Sequence, residues 1–187
     1  EGKSRREFLI QAGQLPGLYV PQLYEVCYKE DGTIQSFVPD NSHAKPKVRK
    51  RIMKDFNATY APETIIVPFG EVVHDRVMLE VMRGCLRGCR FCQAGQLYRP
   101  VRERDVNMLK EYALKMLDNT GYEEITLSSL SSSDYSHLEE LVNFLIEHCK
   151  NKKVNISLPS LRIDAFSLDV MQKVQDIKDI IVSNGRK

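Results

Sequence analysis

No run of about 18 apolar residues occurs in this chain, and no basic leader followed by an apolar stretch opens it. Both observations argue against a membrane span and a secretory signal, so the expectation is a cytoplasmic protein with no membrane partner. A strong excess of either charge is also missing: 27 Lys and Arg stand against 25 Asp and Glu, for a net charge of +2. The global balance therefore demands neither a nucleic acid nor an anionic surface. There is no internal repeat, which excludes a solenoid, and no low-complexity tract beyond the serine-rich turn at Ser128 to Ser133. Cysteine is sparse and uneven: of five, Cys85, Cys89 and Cys92 are bunched while Cys27 and Cys149 stand apart. That is not a secreted disulfide framework, and in a reducing compartment bunched thiols bind metal or do redox work. The chain opens on Glu1 and not on Met, so it is expected to be a piece of something longer.

What is present suffices for a core, since 42% of the residues are hydrophobic. Residues 1–75 read as a small α+β segment ending in a linker helix. Ser4 with Glu7 forms a capping box ahead of Phe8, Leu9 and Ile10, and Gly13 and Pro16-Gly17 end that helix. Leu18 to Tyr28 and Thr33 to Val38 pair as a hairpin around the positive-φ turn Asp31-Gly32. From Asn41 to Tyr60, Lys45, Lys47, Arg49, Lys50, Arg51 and Lys54 fall in helical spacing with few apolar anchors. Residues 1–75 hold ten basic and ten acidic side chains, which favours a solvated linker helix over a nucleic-acid patch.

Residues 76–187 change to alternating strand and helix. Val77 to Met82 is almost continuously apolar, as in a parallel strand buried on both faces, with Glu80 the exception. After the loop Arg83 to Arg104, Asp105 caps a helix carrying Leu109, Ala113, Met116 and Leu117, which Gly121 ends. Ile125 to Leu127 is the second strand. Ser136 with Glu139 forms a capping box for a helix whose Leu138, Leu141, Val142, Leu145 and Cys149 make the buried stripe, so Cys149 is core. Val154 to Leu158 is the third strand, Ser167 caps a helix with Leu168, Met171, Val174 and Ile177, and Ile180 to Val182 begins a fourth strand. Successive right-handed βα units give an α/β fold, a truncated partial parallel (β/α) barrel preceded by the α+β segment with its hairpin.

The stretch EVMRGCLRGCRFCQAG places Cys85, Cys89 and Cys92 within eight residues. A structural zinc site recruits four Cys or His ligands in two pairs, and no second pair exists near His74, His137 or His148. A cluster held by four thiolates needs one more Cys, and neither Cys27 nor Cys149 is placed to supply it. Three ligands leave one iron open to a small molecule. Gly84, Gly88 and Gly95 let the backbone bend tightly and bring N–H groups toward cluster sulfurs. Between Arg76 and Arg104 seven basic residues face two acidic ones, a local excess that offsets an anionic cluster or faces a polyanionic substrate. A zinc-stabilised RNA-binding module, an iron–sulfur electron-transfer protein and a folded but inert fragment without cluster or activity stand as alternatives.

The spacing Cys85-x3-Cys89-x2-Cys92, with Phe91 before the last Cys, resembles the signature of the radical SAM superfamily. The resemblance implies that the three thiolates hold a [4Fe-4S] cluster and that S-adenosylmethionine chelates the open iron. One-electron reduction then yields a 5′-deoxyadenosyl radical, with Phe91 near the adenine and flavodoxin or ferredoxin as the electron donor. With YEVCYKEDG, LSSLSSSDYSHLEELV and SLPSLRIDAFS, the chain resembles the branch fused to a cobalamin-binding domain, and more distantly methylthiotransferases acting on tRNA or ribosomal protein. A cobalamin domain is then expected upstream of Glu1, because no Asp-x-His-x-x-Gly segment occurs here. The family's Gly-Gly-Glu segment, which contacts the cofactor's amino group, is replaced by Leu127-Ser128-Ser129-Leu130-Ser131. Serine hydroxyls of Ser128, Ser129 and Ser131 and backbone carbonyls would take that role. The resemblance places Ser160 and Arg162 where cofactor carboxylate or ribose contacts would arise, with an Arg162–Asp164 pair as the alternative. No residue is singled out as catalytic, and the substrate, small molecule or RNA, is left open.

Overall fold

The computed structural model describes residues 2–40, 42–150, 152–162, 168–170 and 172–176. The chain divides into two compact units, Glu1–Met53 and Lys54–Lys187.

In the first unit, helix α1 (Arg5–Gln14) starts on the expected capping box, the Glu7 carboxylate accepting from the Ser4 N–H at 2.7 Å. Strands β1 (Tyr24–Tyr28) and β2 (Ile34–Pro39) form the antiparallel hairpin, and Gly32 takes φ 79° in its turn. Tyr24 stacks on Phe37 with ring centroids 5.0 Å apart. The linker helix expected between residues 41 and 60 does not form: none of the described residues from 42 to 60 is helical. Pro46 removes a backbone donor there, and the cations leave no apolar stripe to bury. Lys45 instead holds the segment, its Nζ donating to the Gln14 carbonyl and its own carbonyl accepting from Tyr24 Oη.

The boundary between units falls after Met53, earlier than residue 75. Residues beyond it are tied to the second unit: Asn57 Oδ1 accepts from the Asp105 N–H at 2.8 Å, and Glu63 accepts from Lys115 Nζ at 2.9 Å.

The second unit is built on a three-stranded parallel sheet in the order β3 (Val77–Glu80), β6 (Glu124–Ser128), β7 (Asn155–Ser157). Val77 lies opposite Ile125, and Ile125 opposite Ile156. Helices α3 (Val106–Thr120) and α4 (Leu138–Cys149) cover it, burying Leu109, Ala113, Leu141, Leu145 and Cys149 against Val77, Leu79, Ile125 and Leu127. Asp105 accepts from the N–H groups of Asn107 and Met108, and Gly121 ends α3 at φ 69°, both as expected.

Two expectations are corrected. The first strand does not run straight to Met82. At Val81 its N–H donates to the Ser128 carbonyl while its carbonyl accepts from Arg104. Met82–Arg83 (β4) then pairs antiparallel with Arg102–Glu103 (β5), which returns from the short helix α2 (Ala94–Leu97). The Ser136 capping box does not form either, and α4 starts without a side-chain cap. The Ser136 hydroxyl and N–H both donate to Glu103 Oε1, at 3.0 and 3.1 Å, so β5 has claimed them.

Residues 168–170 and 172–176 are helical and bury Val170. The expected Ser167 cap, Met171, Ile177 and the fourth strand at Ile180 to Val182 lie outside the described residues. No described helix is long and apolar enough to cross a membrane.

Candidate functional site

An open cavity of about 310 Å³ lies where β3 and β6 end. One wall is Glu80, Met82, Arg83 and Gly84, another is Ser128 to Leu130, and Tyr98 closes a side. Side chains at the C-terminal ends of parallel strands face a crevice that no strand fills, which is where α/β folds place their ligands.

The cysteine loop springs from β4 at the edge of this cavity. Gly84 sits at φ 101°, and a Cβ there would press on the Tyr98 carbonyl and lie 2.7 Å from the Pro100 carbonyl oxygen. The return segment thus packs directly on Gly84. Gly95 is similarly confined by the Arg87 carbonyl, whereas a Cβ on Gly88 would meet nothing within 4 Å. Close packing against backbone is thus found at Gly84 and Gly95 and not at Gly88.

Cys85 and Cys92 are half-buried and Cys89 is exposed, all as free thiols. The Cys92 N–H donates to the Cys89 carbonyl at 3.0 Å, closing a turn, and the Arg87 N–H points at Cys85 Sγ from 3.4 Å. Among the described residues no three His, Cys, Asp or Glu side chains converge in metal-ligating geometry. The donor set nonetheless suits an iron–sulfur cluster with one open iron. Three soft thiols are accessible on one loop, and a backbone N–H already addresses one sulfur. Burial pushes the Cys149 thiol up to about 11 in the helical core, and Cys27 belongs to the other unit.

A second cluster of groups braces the loop. Arg87 grips Asp134 with Nε at 3.1 Å and Nη2 at 2.5 Å. The same carboxylate accepts from Ser131 Oγ at 2.8 Å and from Arg162 Nη1 at 3.1 Å. Held chiefly by Arg87, against the opposing pull of burial and with help from Ser131 and Arg162, the Asp134 carboxyl is lowered to about 2. The Arg162 N–H also donates to Ser133 Oγ at 2.9 Å.

Of the residues expected to bind the cofactor, Ser128 and Ser129 line the cavity. Ser131 is 1% exposed with its hydroxyl spent on Asp134, and Arg162 joins it there. Ser160 is exposed at φ 60° on the loop beyond β7, and Phe91 stands 94% exposed at the tip of the cysteine loop. Several of the local arginines are structural: Arg76 pairs with Glu124 at 2.6 Å, and the buried Arg104 lies 4.4 Å over the Phe56 ring.

Sequence reasoning missed Asp134, Arg83 and Tyr98 as parts of the site, and Glu80 it noted only as a break in an apolar strand. That break was the available signal for Glu80. Nothing in the pattern around Asp134 marked it.

A model of the radical SAM superfamily matches residues 79–183. The chain is 37% identical over 95 residues to an uncharacterized protein of Methanocaldococcus jannaschii, covering 51% of this chain and 20% of that one. It is 26% identical over 107 residues to a protein of the same organism named "Putative methylthiotransferase", covering 54% of this chain and 24% of that one. The chain thus spans a fifth to a quarter of the length of these curated relatives, at 20% and 24%.

Proposed function

From a chain that belongs to the radical SAM superfamily, we propose a radical S-adenosylmethionine enzyme whose Cys85, Cys89 and Cys92 hold a [4Fe-4S] cluster beside the cofactor. The observation that carries this reading is placement: three free thiols on the loop that leaves β4, a loop whose Gly84, next to Cys85, lines a cavity of about 310 Å³ at the strand ends. When bound, the cluster supplies the electron that cleaves S-adenosylmethionine to a 5′-deoxyadenosyl radical.

This chain's own residues bind, orient and shield. Gly84 lets the return segment close over the strand end, so that Tyr98 walls the cavity. Ser128 and Ser129 line the cavity where the cofactor's polar groups would lie, with the Ser129 hydroxyl bonded to Ser132 Oγ and accepting from the Ser131 N–H. Asp134 ties the middle of the cysteine loop to the turn after β6. Phe91, exposed on the cysteine loop, would lie near the adenine, as the family resemblance implies. Ser160 and Arg162 contribute from the loop after β7.

The reading is completed by a cobalamin-binding domain upstream of Glu1, a one-electron donor such as flavodoxin or ferredoxin, and a cytoplasmic location. The likeness to a protein named "Putative methylthiotransferase" supports a group-transfer reaction whose substrate, small molecule or RNA, is left open.

The test is anaerobic reconstitution of the full-length protein, followed by iron and acid-labile sulfide analysis and a dithionite-driven assay for 5′-deoxyadenosine. Cluster and product together are expected. An intact cluster without that product would return the protein to the electron-transfer class, and zinc without sulfide to the zinc-module class.

A further inference from the structure

Arg104 is 4% exposed, yet among the described residues no carboxylate pairs with it. A guanidinium buried so deeply is normally matched by an anion. The acids on either side of it in sequence are committed elsewhere: Glu103 accepts from Ser136, and Asp105 caps α3. Both hydrogen bonds of the Arg104 side chain go to one neutral residue, Nη2 to Thr59 Oγ1 at 2.9 Å and Nη1 to the Thr59 carbonyl at 3.5 Å. Two of the guanidinium's five N–H donors are thereby used, and the others are left for an acceptor. The rings of Phe56 and Tyr112, 4.4 and 5.7 Å from Cζ, offset part of the charge but accept no hydrogen bond in its plane. The backbone is pinned at the same point, its N–H donating to Val81 at 2.9 Å and its carbonyl accepting from Tyr135 Oη at 3.0 Å.

Arg104 lines a cavity of about 230 Å³ beside β3, the edge strand of the parallel sheet. Pro62, Ile65, Met78, Leu79 and Met116 give it apolar walls. One carboxylate, Glu80, shares the lining, but Arg83 neutralises it through hydrogen bonds of 2.8 and 2.6 Å. The cavity therefore presents a single unmatched positive charge among apolar side chains. A phosphate dianion overshoots that charge and gains nothing from the apolar walls, whereas a hydrocarbon leaves the guanidinium unmet. The volume, about 230 Å³, falls below the range of about 300–1,000 Å³ usual for cofactor sites, which excludes a nucleoside. At roughly 30 Å³ for each water-sized group, about eight non-hydrogen atoms fill it.

We propose that Arg104 anchors a small monocarboxylate with an apolar tail, the carboxylate accepting from the guanidinium and the tail lying against Ile65, Met78 and Met116. This site is separate from the cysteine loop and needs neither cluster nor S-adenosylmethionine. Glu80 also lines the strand-end cavity, so the two sites share one wall.

The experiment titrates the full-length protein, carrying carbon-13 in its methionine methyl groups, with isocaproate. Isocaproamide, the neutral isostere, and inorganic phosphate are titrated beside it. Isocaproate should shift the Met78 and Met116 methyl signals saturably. Isocaproamide, which lacks the charge-assisted hydrogen bonds, should bind about tenfold more weakly or worse. Arg104→Gln should cost isocaproate a similar factor and leave isocaproamide within about twofold. Because that replacement reaches into the core, Ala61→Phe is the second variant. It fills the cavity from a loop position and leaves Arg104 in place, so it should abolish the isocaproate shifts while circular dichroism shows the fold retained. Four results would each overturn the proposal: no saturable shift in the unmodified protein, equal binding of acid and amide, tighter binding of phosphate, or isocaproate binding that survives Ala61→Phe. The first would leave Arg104 as a brace for Phe56 alone.

Discussion

Arg87 and Asp134 face each other as a two-pronged ion pair, with donor–acceptor distances of 3.1 and 2.5 Å across 47 residues of sequence. Arg87 lies between Cys85 and Cys89, and Asp134 ends the turn that follows β6. The pair therefore anchors the cysteine loop to the sheet end, and Arg162 anchors the loop after β7 to the same carboxylate. Asp134→Asn should release both. The expected outcome is faster hydrogen exchange and protease cleavage across residues 85–92, and a cluster that is lost sooner to chelator. Unchanged exchange in that segment would show that the loop is held by other contacts.

The same carboxyl gives a pH signature. Its acidity is strengthened, from an ordinary 3.8 to about 2, so the folded state prefers the ionised form. The stability it contributes is present above pH 3.8 and is lost as the pH falls toward about 2. The shift corresponds to about 2 kcal/mol, reduced toward about 1 because Arg87 is half exposed to solvent. Urea midpoints of the unmodified protein and Asp134→Asn should differ by a constant amount from pH 5 to pH 8 and converge below pH 4. A gap that widens on acidification would contradict the sign argued here.

The cysteines should divide by accessibility. Cys149 is 1% exposed and its thiol is raised to about 11, so it stays protonated and shielded at neutral pH. In the cluster-free protein, iodoacetamide should label Cys27, Cys85, Cys89 and Cys92 and spare Cys149 until the chain unfolds. Replacing Cys85, Cys89 or Cys92 by Ala should abolish iron binding. Cys149→Ala should keep the iron and cost packing alone, about 1 kcal/mol or somewhat more. Mass-spectrometric mapping and iron analysis check both halves.

What was legible in the sequence follows from where the controlling forces are local. The hairpin at Asp31-Gly32, the Asp105 cap and the Gly121 terminator each depend on a few adjacent residues, and each formed where expected. The apolar stripe of α4 placed Cys149 in the core for the same reason. The failures arose where a distant group competed. Ser136 was a sound cap by spacing, but Glu103 from another element took its hydroxyl. The basic run from Lys45 to Lys54 had helical spacing, yet helix formation needs a face to bury, and the run offered none. At the site, the three thiols were visible as a spacing. Asp134 was invisible because its importance comes from Arg87 and Arg162, which only the folded chain brings to it.

Glycine at position 84 offers the sharpest test of the loop's geometry. Its φ of 101° is a conformation that side chains resist, and an added Cβ would also collide with the Tyr98 carbonyl and crowd that of Pro100 at 2.7 Å. Neither obstacle is a flexible side-chain end, so backbone must move. Gly84→Ala should therefore destabilise the protein by about 2 kcal/mol or more, combining left-handed strain with displacement of the return segment. Because Gly84 and Tyr98 both wall the cavity, S-adenosylmethionine binding should weaken in parallel. Gly88→Ala is the matched comparison: it sits on the same loop with nothing within 4 Å of the new methyl, and should leave stability within about 0.5 kcal/mol. Chemical denaturation of the two variants beside the unmodified protein decides the matter, since equal losses at both positions would mean that the loop does not pack on Gly84 as described.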